Sequence, residues 1–334
     1  MTPPSIWLRT RRFDWALQLG ALAGVAPAVV LYAAFGSSRA AAFLPLASLV
    51  AIPFLHVFGS FFFAFSTERN QSASPPRRLA AQWAIWTAVA VALQIFAPRL
   101  LATFALLYGG WHIFRQNFGF VRELATRAGR GADLTLRRLD LAACASPAVA
   151  LWLLVTARGP WSFIGADVYH LEVPVWLRVA AGLAVPATAL LRQLRVPRGS
   201  TPAGLLRLCG NAAALLGPAL FLDDLTLIYT LSASYHGIQY LAYLAEREHE
   251  RQPGEPQARA LLPLASAILL SMLGWAGGLS LLAAVASPEI TLQALVFVWY
   301  AIVPFHYFVD GRIWRRRRVS RPAPARSVRL AGAA

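Results

Sequence analysis

Residues 106–120 read LLYGGWHIFRQNFGF. The stretch is apolar enough to lie in a bilayer, yet it carries His112. Three other apolar stretches have the same character: AIPFLHVFGSFFFAF at 51–65 with His56, SASYHGIQYLAYL at 232–244 with His236, and YAIVPFHYFVDGRIW at 300–314 with His306. Hydrocarbon is a poor solvent for an imidazole, and polar or ionisable groups at membrane depth usually mark a site. Four such groups on four segments point to a buried metal or haem centre.

Composition supports the membrane reading. The 334 residues are 57% hydrophobic and only 14% charged, with mean hydropathy +0.53. Soluble domains carry roughly 25% charged residues. The formal net charge is +16, and all 31 basic residues are arginines. They cluster in loops and in the tail RIWRRRRVSRPAPARSVR, so the charge is read as topology through the positive-inside rule rather than as nucleic-acid contact. Cys144 and Cys209 have no paired spacing, so neither a disulfide framework nor a thiolate metal site is expected. MTPPSIWLRTRR leads into the first apolar run without a small-residue cleavage site, so no cleavable signal peptide is expected.

A helical span needs about 20 apolar residues, and that criterion predicts about ten spans. They lie near 13–35, 40–66, 79–97, 100–121, 139–157, 174–191, 203–221, 224–245, 260–286 and 291–310. Arginine-rich loops alternate with short, arginine-poor ones along the whole chain. The expected fold is therefore an all-α polytopic transmembrane helix bundle in a cell inner (cytoplasmic) membrane, with both termini cytoplasmic. Residues 1–315 form one transmembrane domain holding the histidine site, and 316–334 form a basic, disordered cytoplasmic tail.

In this topology the four histidines fall on spans two, four, eight and ten, all running in the same direction. At 1.5 Å rise per residue, each lies about 13–20 Å from the arginine boundary that follows it. All four can share one layer. A single membrane histidine is usually an interhelical hydrogen-bond partner, but matched depth on four spans favours a common site.

Polar neighbours recur at helical spacing. Gln116 follows His112 by four residues, Asp310 follows His306 by four, and Gln239 and Tyr240 follow His236 by three and four. Residues so spaced share a helix face. Asp310 is expected as a ligand or as the group orienting one, because ligating imidazoles commonly present their second nitrogen to a carboxylate or carbonyl. Arg115 is expected as a further buried cation. Gln116, Arg115 and Tyr240 are expected on the substrate side. Pro53 and Pro304 are expected to kink their helices. His170, His249, Asp223 and Asp224 are read as loop or interfacial residues.

Imidazole and carboxylate ligands without thiolate fit iron, copper or zinc. Zinc hydrolysis lacks its H-E-x-x-H pattern here, and the H-x-x-x-H and H-x-x-H-H boxes of di-iron membrane desaturases are absent. Two histidine pairs holding haem would make an electron carrier instead. A histidine–aspartate proton relay in a transporter or lipid-handling protein is a third possibility, though no inverted repeat or broken helix pair is evident.

Four short segments resemble the integral-membrane Brp/Blh family of carotenoid-cleavage oxygenases. VWYAIVPFHYFVDGRIWR at 298–315 resembles that family's final span, with a Pro-Phe-His run, an aspartate four residues later and a basic end. AIPFLHVFGS at 51–60 resembles its first motif and SASYHGIQYLAYLAERE at 232–248 its later histidine helix. The fourth segment, around His112, differs: His112-Ile-Phe-Arg-Gln stands where the family has a His-Phe-Gly type of motif. His56 is followed by Val-Phe-Gly rather than directly by glycine, and Tyr240 stands where a second histidine is usual. The resemblance implies an enzyme with ferrous iron held by His56, His112, His236 and His306, using dioxygen. Arg115 and Gln116 point to a lipid or isoprenoid with a polar headgroup. Membrane lipids and a lipophilic small molecule are the expected partners, with no nucleic acid and no obligate protein partner.

Overall fold

A computed structural model of the chain describes residues 10–19, 21–22, 56–61, 76–156, 160–196, 202–251 and 285–316, with isolated positions between 266 and 281. The described chain is mostly helical. Residues 11–19 and 56–61 are helical, and seven long helices follow. They are α1 (Pro76–Phe96), α2 (Pro98–Arg127), α3 (Leu134–Thr156), α4 (Val175–Arg195), α5 (Pro202–Phe221), α6 (Leu225–Arg251) and α7 (Pro288–Arg316). They coincide with predicted spans three to eight and ten. Spans one, two and nine lie mostly outside the described residues, as does the tail from 317.

Local chemistry explains the boundaries. Pro98 opens α2, where its fixed φ suits a first helical turn and its missing N–H has no acceptor to lose. At the other end Gly129 takes φ 74°, and the N–H of Arg130 reaches the carbonyl of Ala125 at 2.8 Å while that of Gly129 reaches Thr126 at 3.0 Å. This paired closure satisfies carbonyls the helix leaves bare. Asp133 caps α3 by accepting the Leu136 N–H at 2.8 Å, and Asp224 caps α6 by accepting that of Leu227 at 2.9 Å. The Leu136 N–H and then Arg130 hold the Asp133 carboxyl below the usual carboxylate range. A carboxyl depressed in this way favours the fold above its unfolded pKa, and that help is lost as pH falls through the lowered value.

α2 is the central helix. It packs against α1, α3, α5, α6 and α7, while α3 lies along α4 and α5, α1 along α7, and α5 along α6. Prolines create the polar handles between these helices. Pro304 inside α7 has no N–H for the carbonyl of Tyr300, and the Trp86 indole of α1 donates to that oxygen at 3.0 Å. Trp83 donates to the neighbouring Ala301 carbonyl at 3.2 Å. Pro218 similarly frees the carbonyl of Ala214, and the Ser232 hydroxyl of α6 donates to it at 2.9 Å. Where no water reaches, freed backbone groups must find such partners.

The segment between α3 and α4 holds a small antiparallel hairpin of β1 (Ser162–Phe163) and β2 (Ala166–Asp167). Its two turn residues, Ile164 and Gly165, have φ of 49° and 77°. Both values are positive, as in the tight hairpin turn that matches strand twist. Isoleucine rarely adopts such a φ. It is held here by the Ile164 N–H donating to Thr226 at 3.1 Å, and by Phe163, fully buried, whose carbonyl accepts the Tyr300 hydroxyl at 3.2 Å. The hairpin thus plugs the end of the bundle between α2, α6 and α7. His170 and Asp223 are exposed, in keeping with their reading as loop and interfacial residues, whereas His249, read as a loop residue, lies within α6.

Among the described residues, four helices are long and apolar enough to cross a membrane: Arg77–Phe96, Leu134–Val155, Val175–Arg195 and Ala203–Phe221. Only 6% of the best window in Val175–Arg195 is buried within the protein. Trp176, Leu183 and Leu194 face outward there, as Ile95 and Phe96 do on α1. Apolar surface on this scale is covered by lipid in a membrane protein. α2, α6 and α7 carry the polar residues of the site, which lowers their hydropathy.

Trp86→Phe leaves the Tyr300 carbonyl buried without its donor, at an expected cost of about 1–3 kcal/mol. Thermal unfolding in detergent measures the loss. Adding Pro304→Ala, which restores a backbone N–H to that carbonyl, is expected to recover most of it.

Candidate metal centre

Every histidine named from the sequence as a site residue reaches the bundle interior. His56 on the 56–61 segment, His112 on α2, His236 on α6 and His306 on α7 are each 2–3% exposed. The rings meet edge to face: His56 and His306 have centroids 4.9 Å apart, His56 and His236 5.0 Å, His112 and His306 4.9 Å, and His112 and His236 5.2 Å. Gln116, Tyr240 and Asp310, buried to 1% exposure or less, complete the cluster.

Within it, His56, His112, His306 and Asp310 each present a ligand atom, and these four atoms lie within 4.8 Å of one another. The His56 and His306 Nε2 atoms are 3.2 Å apart, and Asp310 Oδ2 is 3.5 Å from His112 Nε2 and 3.8 Å from His56 Nε2. Four donors placed tetrahedrally at 2.0–2.1 Å from one ion stand about 3.3 Å apart. The buried His3Asp group can therefore hold a metal ion with small adjustments.

The surroundings orient these donors. His306 donates Nδ1–H to the Val303 carbonyl at 2.5 Å, which leaves its Nε2 lone pair free to ligate. Asp310 Oδ1 accepts the Tyr240 hydroxyl at 2.9 Å, and its Oδ2 accepts the Gln116 amide. The same amide lies 3.1 Å from His112 Nε2. Gln116 and Tyr240, expected beside a substrate, thus hold the carboxylate. Asp310, left open between ligand and orienting group, stands among the donor atoms.

His236 is the exception among the four histidines. It is in ring contact with His56 and His112, but its nitrogens are not among the four grouped donors, and neither has a hydrogen-bond partner among the described residues. Arg115 corrects an expectation outright. It is exposed rather than buried, its guanidinium 5.9 Å over Trp111 and 5.5 Å over Phe118.

Two tyrosines were not singled out from the sequence. Tyr307 stacks on His112 with centroids 4.3 Å apart, and its hydroxyl is hydrogen-bonded to that of Tyr229. Gly109 makes room for the pair, since a Cβ there would lie 2.7 Å from Tyr229 Cζ. Position one after His306 and two turns before His236 were the available signals. A second buried polar network was also unforeseen. Gln18 Oε1 accepts the Tyr235 hydroxyl and the Gln239 amide, each at 2.5 Å, and Arg207 lies 3.5 Å from Asp14. It ties the 11–19 helix to α5 and α6.

No family model, curated protein or solved structure matches this chain.

Protein purified without chelators is expected to retain about one equivalent of a transition metal, by elemental analysis. Asp310→Asn and His306→Ala should abolish retention. Gln116→Leu and Tyr240→Phe should weaken affinity by about 10–100-fold, the usual effect of removing a group that orients a ligand.

Proposed function

We propose that this protein is an integral-membrane oxygenase or oxidase that uses one non-haem ferrous ion and dioxygen on a lipophilic substrate, a lipid or isoprenoid. One observation carries the reading: three imidazoles and a carboxylate, with no thiolate in the set, converge in the buried interior of an apolar helix bundle. Such donors suit iron in oxygen chemistry, and the surrounding helices suit a substrate that arrives from the bilayer. Donor atoms packed within 4.8 Å favour a single ion over a flat porphyrin, which needs its axial imidazoles on opposite faces. The resemblance of the histidine segments to the Brp/Blh oxygenases points the same way.

A ferrous ion held there supplies one-electron chemistry with dioxygen. The chain's own residues do the rest. Tyr240 and Gln116 fix the Asp310 carboxylate, Val303 fixes the His306 tautomer, and Tyr307 covers the face of the His112 ring. His236, with both nitrogens free of partners among the described residues, is placed to meet an incoming group. In this reading the bundle has about ten spans, and its arginine-rich side faces the cytoplasm, with both termini there.

The buried His112–Asp310 pair, with Nε2 and Oδ2 3.5 Å apart, is the observation that favours a second reading, a proton relay in a transporter.

The test is dioxygen consumption by the iron-loaded protein in vesicles of native polar lipid, followed with an oxygen electrode. The expected result is uptake that requires ferrous iron and falls at least 100-fold in His112→Ala and His306→Ala. Uptake that is absent, or unchanged in those variants, overturns the oxygenase reading. Proton flux in metal-free vesicles would then support the relay.

A further inference from the structure

A cavity opens where the end of α2, the 128–133 turn, the end of α4 and the first turn of α5 meet. Leu124, Leu136 and Val196 form its apolar wall, Arg130 and Arg192 its basic side, and Gly204 lies between Arg192 and α5. It is separate from the histidine cluster.

Charge does not balance there. Asp140, fully buried, accepts Arg192 Nε at 2.8 Å and Arg122 Nη1 at 3.0 Å. Two guanidiniums share one carboxylate, which leaves one positive charge over. The nearby Asp133 does not offset it, being paired with Arg130. The Arg192 side chain is 5% exposed, and its Nη1 has no hydrogen-bond partner among the described residues. A buried charge without a full complement of partners is costly.

The cradle around this guanidinium is shaped for an anion. A Cβ at position 204 would stand 2.5 Å from Arg192 Nη2 and 3.1 Å from Nη1, so only glycine lets the guanidinium lie against the start of α5. That start is the N-terminus of a 20-residue helix. Its first N–H groups have no intrahelical acceptor and carry the positive end of the helix dipole. A guanidinium fork beside the first N–H groups of a helix is a donor set that recognises phosphate oxygens. Leu124, Leu136 and Val196 set an apolar wall beside this donor set, the combination that suits an anionic lipid headgroup and its acyl region.

We propose that this cavity is a phosphate-binding site, filled by the phosphodiester of an anionic membrane lipid or by free inorganic phosphate. The ligand completes the Arg122–Asp140–Arg192 group and clamps α2, α4 and α5 together.

Thermal unfolding of the full chain tests the proposal in two arms: phosphatidylglycerol against phosphatidylcholine nanodiscs, and detergent with or without millimolar inorganic phosphate. The wild type is expected to gain about 3 °C or more in at least one arm. A gain with phosphatidylglycerol alone assigns the site to lipid, and a gain with phosphate as well assigns it to the oxyanion itself. Gly204→Ala, which fills the cradle and keeps both arginines, and Arg192→Gln, which leaves Asp140 paired with Arg122, should each lose the gain. Exposed Arg138→Gln should keep it. No gain in the wild type overturns the proposal, as does an equal gain in both cradle variants or an equal loss in Arg138→Gln. If neither cradle variant accumulates, isothermal titration of the wild type with phosphate and with short-chain phosphatidylglycerol decides, and absence of saturable one-site binding overturns it.

Discussion

The Asp310 carboxylate is 1% exposed within a bundle whose outer helices turn apolar side chains outward, so bulk solvent does little to stabilise it. A group of that kind persists only where the protein supplies the stabilisation. Tyr240 and Gln116 hydrogen-bond it, and the imidazoles of His112 and His56 lie within 3.5 and 3.8 Å. Those partners come from α6, α2 and the 56–61 segment, while Asp310 itself sits on α7. One carboxylate therefore dictates how four parts of the chain must meet, and the same convergence brings three imidazole nitrogens to its oxygen.

The packing around this centre follows the same rule at the backbone. Pro304 and Pro218 each strip a carbonyl of its helical donor, and a side chain from a neighbouring helix replaces it. The two repairs join α1 to α7 and α6 to α5. Pro304 lies two residues before His306, so the α1–α7 bond also steadies the ligand-bearing turn. A proline that would weaken an isolated helix thus becomes a point of registration between two.

Histidine depth and polar spacing were legible in the sequence because both are properties of a single helix. His56, His112, His236 and His306 read as one layer, and the structure brings their rings into contact. Arg115 and Gln116 show where such reading stops. Residues three and four after His112 both lie on its general face, but on opposite flanks. Packing against α7 turned the Gln116 flank inward and left Arg115 exposed beside Trp111 and Phe118. Likewise nothing in SASYHGIQY separated His236 from the other three histidines; the disposition of α6 sets its nitrogens apart from the grouped donors. Tyr229 and Gly109 were invisible for a related reason, since a hydroxyl and the space it occupies come from different helices.

The sequence by itself determined a mostly helical membrane protein and the segments carrying its buried histidines. Hydropathy, helical period and charge are local quantities, and each can be read along one segment. Only the tertiary structure decided that Asp310 joins His56, His112 and His306 as a donor, that Gln116 and Tyr240 hold it, and that Asp140 must serve two arginines. Those outcomes depend on which flank of each helix faces its neighbour, a relation between segments that no single segment encodes.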